Sequence, residues 1–212
     1  MRVILLGLEL INLSTAYHLA EIGYEVTLIE ERTEAEIKRD GLSVYIENHS
    51  FIHEMDNKLR ELGVHFRYGC KARKFVTEGK VVRSLSIINE YNYEETLVAD
   101  RFVAALDYKT RPALKSLNIS SPSQFKPFNN EHYHNSLIGK SNYSNLFLNV
   151  GQVMIGRTAV SQSGKQLADF IYNPSFAEFY DQPSFIKEGF LKIFSGLSNT
   201  IQKFFKVALI TN

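Results

Sequence analysis

Residues 2–6 (RVILL) are a short apolar, β-favouring run that stops at Gly7, and apolar positions then recur at Leu10, Leu13, Tyr17 and Ala20 until Gly23. This change of period predicts a strand, a turn and a helix. Residues 24–30 (YEVTLIE) return to the strand pattern and end on an acid. A helix between two such strands predicts a crossover that leaves them parallel and adjacent. From Thr33 to Ser50 the pattern is polar and irregular. Phe51, Ile52, Met55, Leu59 and Leu62 then mark one face of a helix that Gly63 closes.

Residues 64–69 (VHFRYG), 71–88 (KARKFVTEGKVVRSLSII) and 91–106 (YNYEETLVADRFVAAL) alternate as strands, with turns at Glu78-Gly79 and Asn89 to Asn92. They predict a small meander that leads into a buried strand, FVAAL. Residues 107–144 are rich in Ser, Asn, Lys and Pro without sustained period, which predicts loops and one short helix near Ala113. NLFLNVG (145–151) reads as a strand and AVSQSGKQLADFIY (159–172) as a helix. Beyond it, Ile186, Phe190, Ile193, Phe194 and Leu197, then Ile201, Phe204, Phe205 and Leu209, form an amphipathic tail with lysines opposite. There is no internal repeat.

Composition narrows this picture. At 212 residues, 44% hydrophobic and 22% charged, the chain is long enough to fold as one packed domain with an appendage. Basic and acidic residues number 24 and 23, so no net field draws it to nucleic acid, and no such partner is expected. A single cysteine, Cys70, excludes an internal disulfide and a multi-cysteine metal site; its expected role is that of a small buried hydrophobe, and the cytoplasm is the expected compartment. The N-terminal apolar run breaks at Glu9 with no small-residue cleavage site before Glu21, so it reads as a buried strand and not a leader. No window is long enough to span a membrane without charges.

His132 and His134 lack a third ligand and read as surface residues, and no metal site is expected. Ser163-Gly164-Lys165 lacks the spaced glycine of a phosphate loop, so a nucleoside triphosphate site is rejected. In the tail, Lys187, Lys192, Lys203 and Lys206 face one acid, Glu188, which leaves weak peripheral contact with an anionic membrane as the alternative to packing on the domain.

The chemistry lies in the first turn. A dinucleotide site needs a glycine for the tight turn, a second for close approach of the pyrophosphate and a third for helix packing, with an acid about twenty residues on for the ribose. Here the stretch reads Gly7, Leu8, Glu9, Leu10, Ile11, Asn12, with Glu30 ending the second strand. The first glycine and the acid are present, and strand, helix and second strand surround them in the right order.

In that context residues 2–30 (RVILLGLELINLSTAYHLAEIGYEVTLIE) resemble the FAD-binding start of the D-amino-acid dehydrogenases, within the D-amino-acid-oxidase-like flavoprotein family. LRELGVHFRYG (59–69), followed by KVVRSLSI (80–87) and ADRFVAAL (99–106), resembles that family's central meander and return strand. Residues 136–171 (SLIGKSNYSNLFLNVGQVMIGRTAVSQSGKQLADFI) resemble its C-terminal flavin motif, a strand, glycine turn and Ser-Gly-Lys helix start. The three blocks keep the family's order and cover just over half the chain. The resemblance implies an α/β fold with a Rossmann-type FAD/NAD(P)-binding parallel sheet, an inserted antiparallel β-meander and a C-terminal helical tail. Residues 1–172 would form the FAD-binding domain and 173–212 the tail. It also implies amino-acid oxidation by hydride transfer to FAD, with cofactor contacts from Gly7, Leu8, Ile11, Glu30, Glu31, Ala72, Ala105, Gly151, Gly156 and Thr158.

Departures from the family are as informative. Its members are considerably longer, and the segments missing here follow Glu30 and lie between Phe125 and Leu137. In the family these build most of the substrate domain and the ceiling over the flavin, so no catalytic residue carries over. Glu9 and Asn12 replace the second and third glycines, Asp107 replaces the glycine after the return strand, and the family's Gly-His-Gly turn reads Gly151, Gln152, Val153. A carboxylate about 4 Å from one phosphate charge costs roughly 4 kcal/mol at an effective dielectric near 20. That is about a thousandfold in affinity. FAD is therefore expected to bind weakly or not at all. Two expectations follow: a flavoprotein subunit whose partner supplies the missing substrate cap, or a catalytically inactive relative that serves as a binding or interaction module.

Overall fold

The apolar run RVILL becomes the central strand β1 (Arg2–Leu6), covered on both faces. Val3 and Leu5 enter one core layer and Ile4 and Leu6 the other, as the two-residue period of a strand requires. The structure is a computed structural model that describes residues 1–40, 49–106, 109–119, 126–129, 134–149 and 157–173.

On one side β1 pairs in parallel with β2 (Glu25–Ile29), which pairs in parallel with β3 (His65–Arg67). On its other side lie β7 (Arg101–Ala105) and then β10 (Leu146–Asn149), both parallel. Two antiparallel strands, β9 (His134–Lys140) and β8 (Lys126–Asn129), complete a seven-stranded sheet of order β3-β2-β1-β7-β10-β9-β8. Helices α1 (Leu10–Glu21), α3 (His49–Glu61) and α5 (Arg157–Tyr172) supply one covering layer, where Leu19, Leu59, Leu167 and Ile171 pack with Leu5, Leu28 and Phe147. A three-stranded antiparallel sheet, β4 (Lys71–Glu78), β5 (Val81–Ile88) and β6 (Glu94–Leu97), covers the other face together with the short helix α4 (Arg111–Lys115). There Phe75 meets Phe102 edge-on at 5.7 Å, among Leu85, Ile87, Leu114 and Leu148. Each such large side chain taken from water contributes roughly 1.5–3 kcal/mol. Asn145, buried at the start of β10, bonds both the N–H and the carbonyl of Val82 at 2.8 Å and fastens the two sheets to each other.

The fold is thus the mixed α/β arrangement expected, a parallel sheet with a separate antiparallel sheet inserted before β7. Four details differ from the sequence reading. The polar stretch after Thr33 contains a helix, α2 (Glu34–Asp40), started by a capping box in which Thr33 Oγ1 accepts from the Glu36 N–H at 3.2 Å and Glu36 accepts from the Thr33 N–H at 2.7 Å. Strand β3 belongs to the parallel sheet and not to the meander. Part of the region read as loops forms β8 and β9. Ser163-Gly164-Lys165 lies inside α5 and not at its start. The tail beyond residue 173 lies outside the described residues, as do Asp107 and His132. Among the described residues no helix is long and apolar enough to cross a membrane.

Candidate functional site

The carboxyl ends of β1, β2, β7 and β10 converge on the N-terminus of α1, the place where open α/β sheets bind their ligands. Gly7 leaves β1 with φ +95°, a conformation that favours glycine, and its N–H donates to the Ile29 carbonyl at 2.8 Å, so the turn hugs the end of β2. Leu8 follows, buried, and Glu9 is the residue before α1, in extended conformation.

Glu9 is only 5% exposed, and its carboxylate folds back over Gly7 so closely that a Cβ there would collide with it. Asn12 Nδ2 reaches its Oε2 at 3.4 Å, and the same amide donates to the carbonyls of Leu6 at 2.7 Å and Gly7 at 3.0 Å. Asn12 Oδ1 accepts from Asn149 Nδ2 at 2.7 Å, which ties the first turn of α1 to the end of β10. Both asparagines are fully buried. A helix N-terminus attracts an anion through its unpaired N–H groups and its dipole. In this chain the carboxylate of Glu9 lies at that end of α1.

The second half of the site is Glu30, 2% exposed at the end of β2. Its Oε1 accepts from the Arg32 N–H and Arg32 Nε, both at 3.0 Å, and from Lys109 Nζ at 3.1 Å, while Oε2 lies 3.4 Å from the Leu8 N–H. Burial pushes the Glu30 carboxyl up, but the Arg32 hydrogen bonds and the Lys109 charge outweigh it and hold it below the usual carboxylate range. Beside Glu30 remains a cavity of about 20 Å³, lined among others by Gly7, Ile29, Ala72, Lys109 and Thr110. That is room for about one water.

The site residues expected from the sequence fall into three groups. Gly7, Leu8, Glu30 and Ala72 meet around this end of the sheet, with Glu31 beside them, paired to Lys71 at 2.8 Å. Ile11 is buried in the helix-side core, and Ala105 is buried at the end of β7, where its carbonyl accepts from Thr110 Oγ1. Thr158 lies in the first turn of α5, and Gly151 and Gly156 lie outside the described residues. The sequence reading did not include Arg32, Lys109 or Asn149. Asn149 carried a signal, a polar residue closing an apolar strand at the carboxyl edge of the sheet. Lys109 carried none, because it meets Glu30 across 79 residues. Cys70 is buried as expected, its Sγ 3.3 Å from the Tyr68 carbonyl, and burial pushes its thiol up.

Around this end of the sheet the Glu9 carboxylate covers the Gly7 turn, Glu30 is engaged by two cations of the chain itself, and the neighbouring cavity has the size of a water.

No family model matches the chain, and no curated protein matches it. Among solved structures it is similar to a myxobacterial chondrochloren halogenase of an FAD-dependent type, with 16% identity and a TM-score of 0.41, over 52% of this chain and 38% of the halogenase. It is also similar to L-proline dehydrogenase from P. horikoshii, with 19% identity and a TM-score of 0.39, over 50% of this chain and 22% of that one. A pyridine nucleotide-disulfide family oxidoreductase from Enterococcus faecalis aligns at 11% identity and a TM-score of 0.37, over 62% of this chain and 24% of its own. The chain thus spans well under half the length of these structures.

Proposed function

We propose that this chain is a reduced relative of the D-amino-acid dehydrogenase type of flavoprotein that binds FAD weakly or not at all, has no catalysis of its own, and serves as a binding or interaction module. One observation carries the proposal. The Glu9 carboxylate, buried over Gly7 and reached by Asn12, lies at the N-terminal end of α1, the end at which dinucleotide-binding folds take a pyrophosphate. Two further features agree with it. Glu30 spends its acceptors on Arg32 and Lys109, and the resemblance lacks the segments that would build a substrate domain. Without positioned substrate contacts, the large rate contribution of orientation is absent.

The test is a turnover assay on the purified full-length chain with added FAD, a panel of D-amino acids and an artificial electron acceptor. No steady turnover above the protein-free control is expected. Steady turnover that disappears in Gly7→Val would overturn the proposal.

A further inference from the structure

A second cleft, of about 370 Å³, lies between the edge strand β3, the start of α2 and the turn that joins β5 to β6. Unlike the cavity beside Glu30, it is in the size range of ligand sites, roughly 300–1,000 Å³. Its lining combines flat aromatic surface with negative charge: Phe66, Tyr68 and Tyr91 with Glu34, Glu90 and Glu95. The rings of Phe66 and Tyr68 are stacked, 5.7 Å apart at 11°. Among the described residues Arg67 is the one cation in the lining, and it is paired with Glu95 at 2.7 Å. Glu90 makes no hydrogen bond or ion pair among the described residues, which leaves the lining with an excess of carboxylate.

The molecule already shows what this chemistry recognises. The Arg60 guanidinium lies 4.8 Å from the Phe66 ring centre and 6.0 Å from that of Tyr68, paired with Asp56 at 3.1 Å and Glu34 at 3.5 Å. The same two rings that hold this guanidinium also line the cleft. Its far wall is set in advance. Asn89 Oδ1 accepts from the N–H groups of Tyr91 and Tyr93 at 3.0 Å, the Asn89 N–H donates to the Tyr93 carbonyl at 2.9 Å, and Asn89 Nδ2 donates to Glu95 at 2.5 Å. Gly69 lets this turn come close, since a Cβ there would meet the Cβ of Glu90. A backbone turn held by its own hydrogen bonds lowers the loop-ordering cost of binding. Tyr91, in the lining, and Tyr93, two residues on in the same turn, are 72% and 70% exposed, and tyrosine is a residue type enriched at polypeptide interfaces.

We propose that this cleft binds the guanidinium of an arginine side chain carried by a polypeptide partner, with Glu90 pairing the charge and Tyr91 providing a stacking face. A guanidinium suits it better than an ammonium because it is planar, stacks on rings and is weakly hydrated. The proposal goes beyond the reading of the nucleotide end of the sheet and does not depend on whether FAD binds there.

The test titrates the full chain with a labelled Gly-Ser-Arg-Ser-Gly peptide, its lysine and citrulline counterparts, and N-acetyl-arginine amide, read by fluorescence anisotropy and calorimetry. Saturable binding of the arginine peptide is expected, roughly tenfold tighter than the uncharged citrulline peptide. Weaker binding is expected for the lysine peptide and for the isolated amide. Glu90→Gln and Tyr91→Ala, both at exposed positions and checked by an unchanged melting temperature, should each weaken the arginine peptide about threefold to fivefold. Equal binding of the citrulline or lysine peptide overturns the guanidinium assignment, as does unchanged affinity in either variant or no saturation at millimolar peptide. Binding of the isolated amide as tightly as the peptide overturns the polypeptide partner.

Discussion

Asn12 stands at the position where a dinucleotide-binding turn would be expected to carry the glycine of close helix packing, and here its side chain fills the first turn of α1 with hydrogen bonds. Its side chain serves the Leu6 and Gly7 carbonyls and the Asn149 amide, all away from water. Asn12→Ala should therefore lower stability by about 2–4 kcal/mol, since each buried polar group left unpaired costs roughly 1–3 kcal/mol. Denaturant unfolding measures this, and a loss below about 0.5 kcal/mol would mean that the network is not formed. Glu30 makes a pH-dependent contribution. Its folded pKa lies below the ordinary 4.5, so its stabilisation is complete above that value and is lost as pH falls through the folded value. Glu30→Gln should destabilise the protein at pH 7, and the difference from the parent should shrink as the pH is lowered below about 4.5. A pH-independent difference would contradict the pairing with Arg32 and Lys109. The positions of Gly7 and Glu30 were legible in the sequence because they follow from local order, after one strand and at the end of the next. Lys109 was not, since it meets Glu30 across 79 residues, and for Asn149 the polar end of an apolar strand was a signal but its pairing with Asn12 across 137 residues was not.

Elements were legible where period and end signals agreed. Strand β1, helix α1, strand β2 and helix α3 each have a clear run bounded by glycine. Helix α2 has no apolar stripe, and only the Thr33 to Glu36 capping box marks it. Strands β8 and β9 were hidden because an edge hairpin rich in Ser, Asn and Lys has no two-sided apolar pattern. Helix α1 was read from apolar positions at helical spacing, yet Asn12, Ser14 and Thr15 are buried along with Leu13 and Leu19, because α5 covers the side that the sheet does not. Gly164 is what permits that contact, as a Cβ there would collide with Ser14. On helix propensity alone Gly164→Ala would gain up to about 1 kcal/mol. Loss of stability is expected instead, about 1–3 kcal/mol as for other overpacked contacts, with partial recovery in the Ser14→Gly, Gly164→Ala double variant. Thermal melts decide it, and a stabilised single variant would contradict the close crossing of α1 and α5.

Among the described residues, a mostly parallel sheet is sandwiched between helices and a small antiparallel sheet, and at the end that binds dinucleotides in such folds Glu9 lies over Gly7 while Glu30 pairs with Arg32 and Lys109. The layering was legible because strands such as FVAAL and LFLN alternate between two buried faces: Phe102 and Ala104 join one layer and Val103 the other, as Leu146 and Leu148 do against Phe147. The closure was legible only as a charge in the wrong place. Its burial over Gly7 and its contact with Asn12 needed the fold. The measurement that bears most directly on it is a flavin-fluorescence titration of FAD with the full chain and with Glu9→Gly. The parent chain is expected to show weak or no saturation and Glu9→Gly at least tenfold tighter binding, because removal of a carboxylate about 4 Å from a phosphate relieves roughly 4 kcal/mol. Equal affinity in the two proteins, or tight stoichiometric binding by the parent, would contradict the claim that Glu9 closes the site.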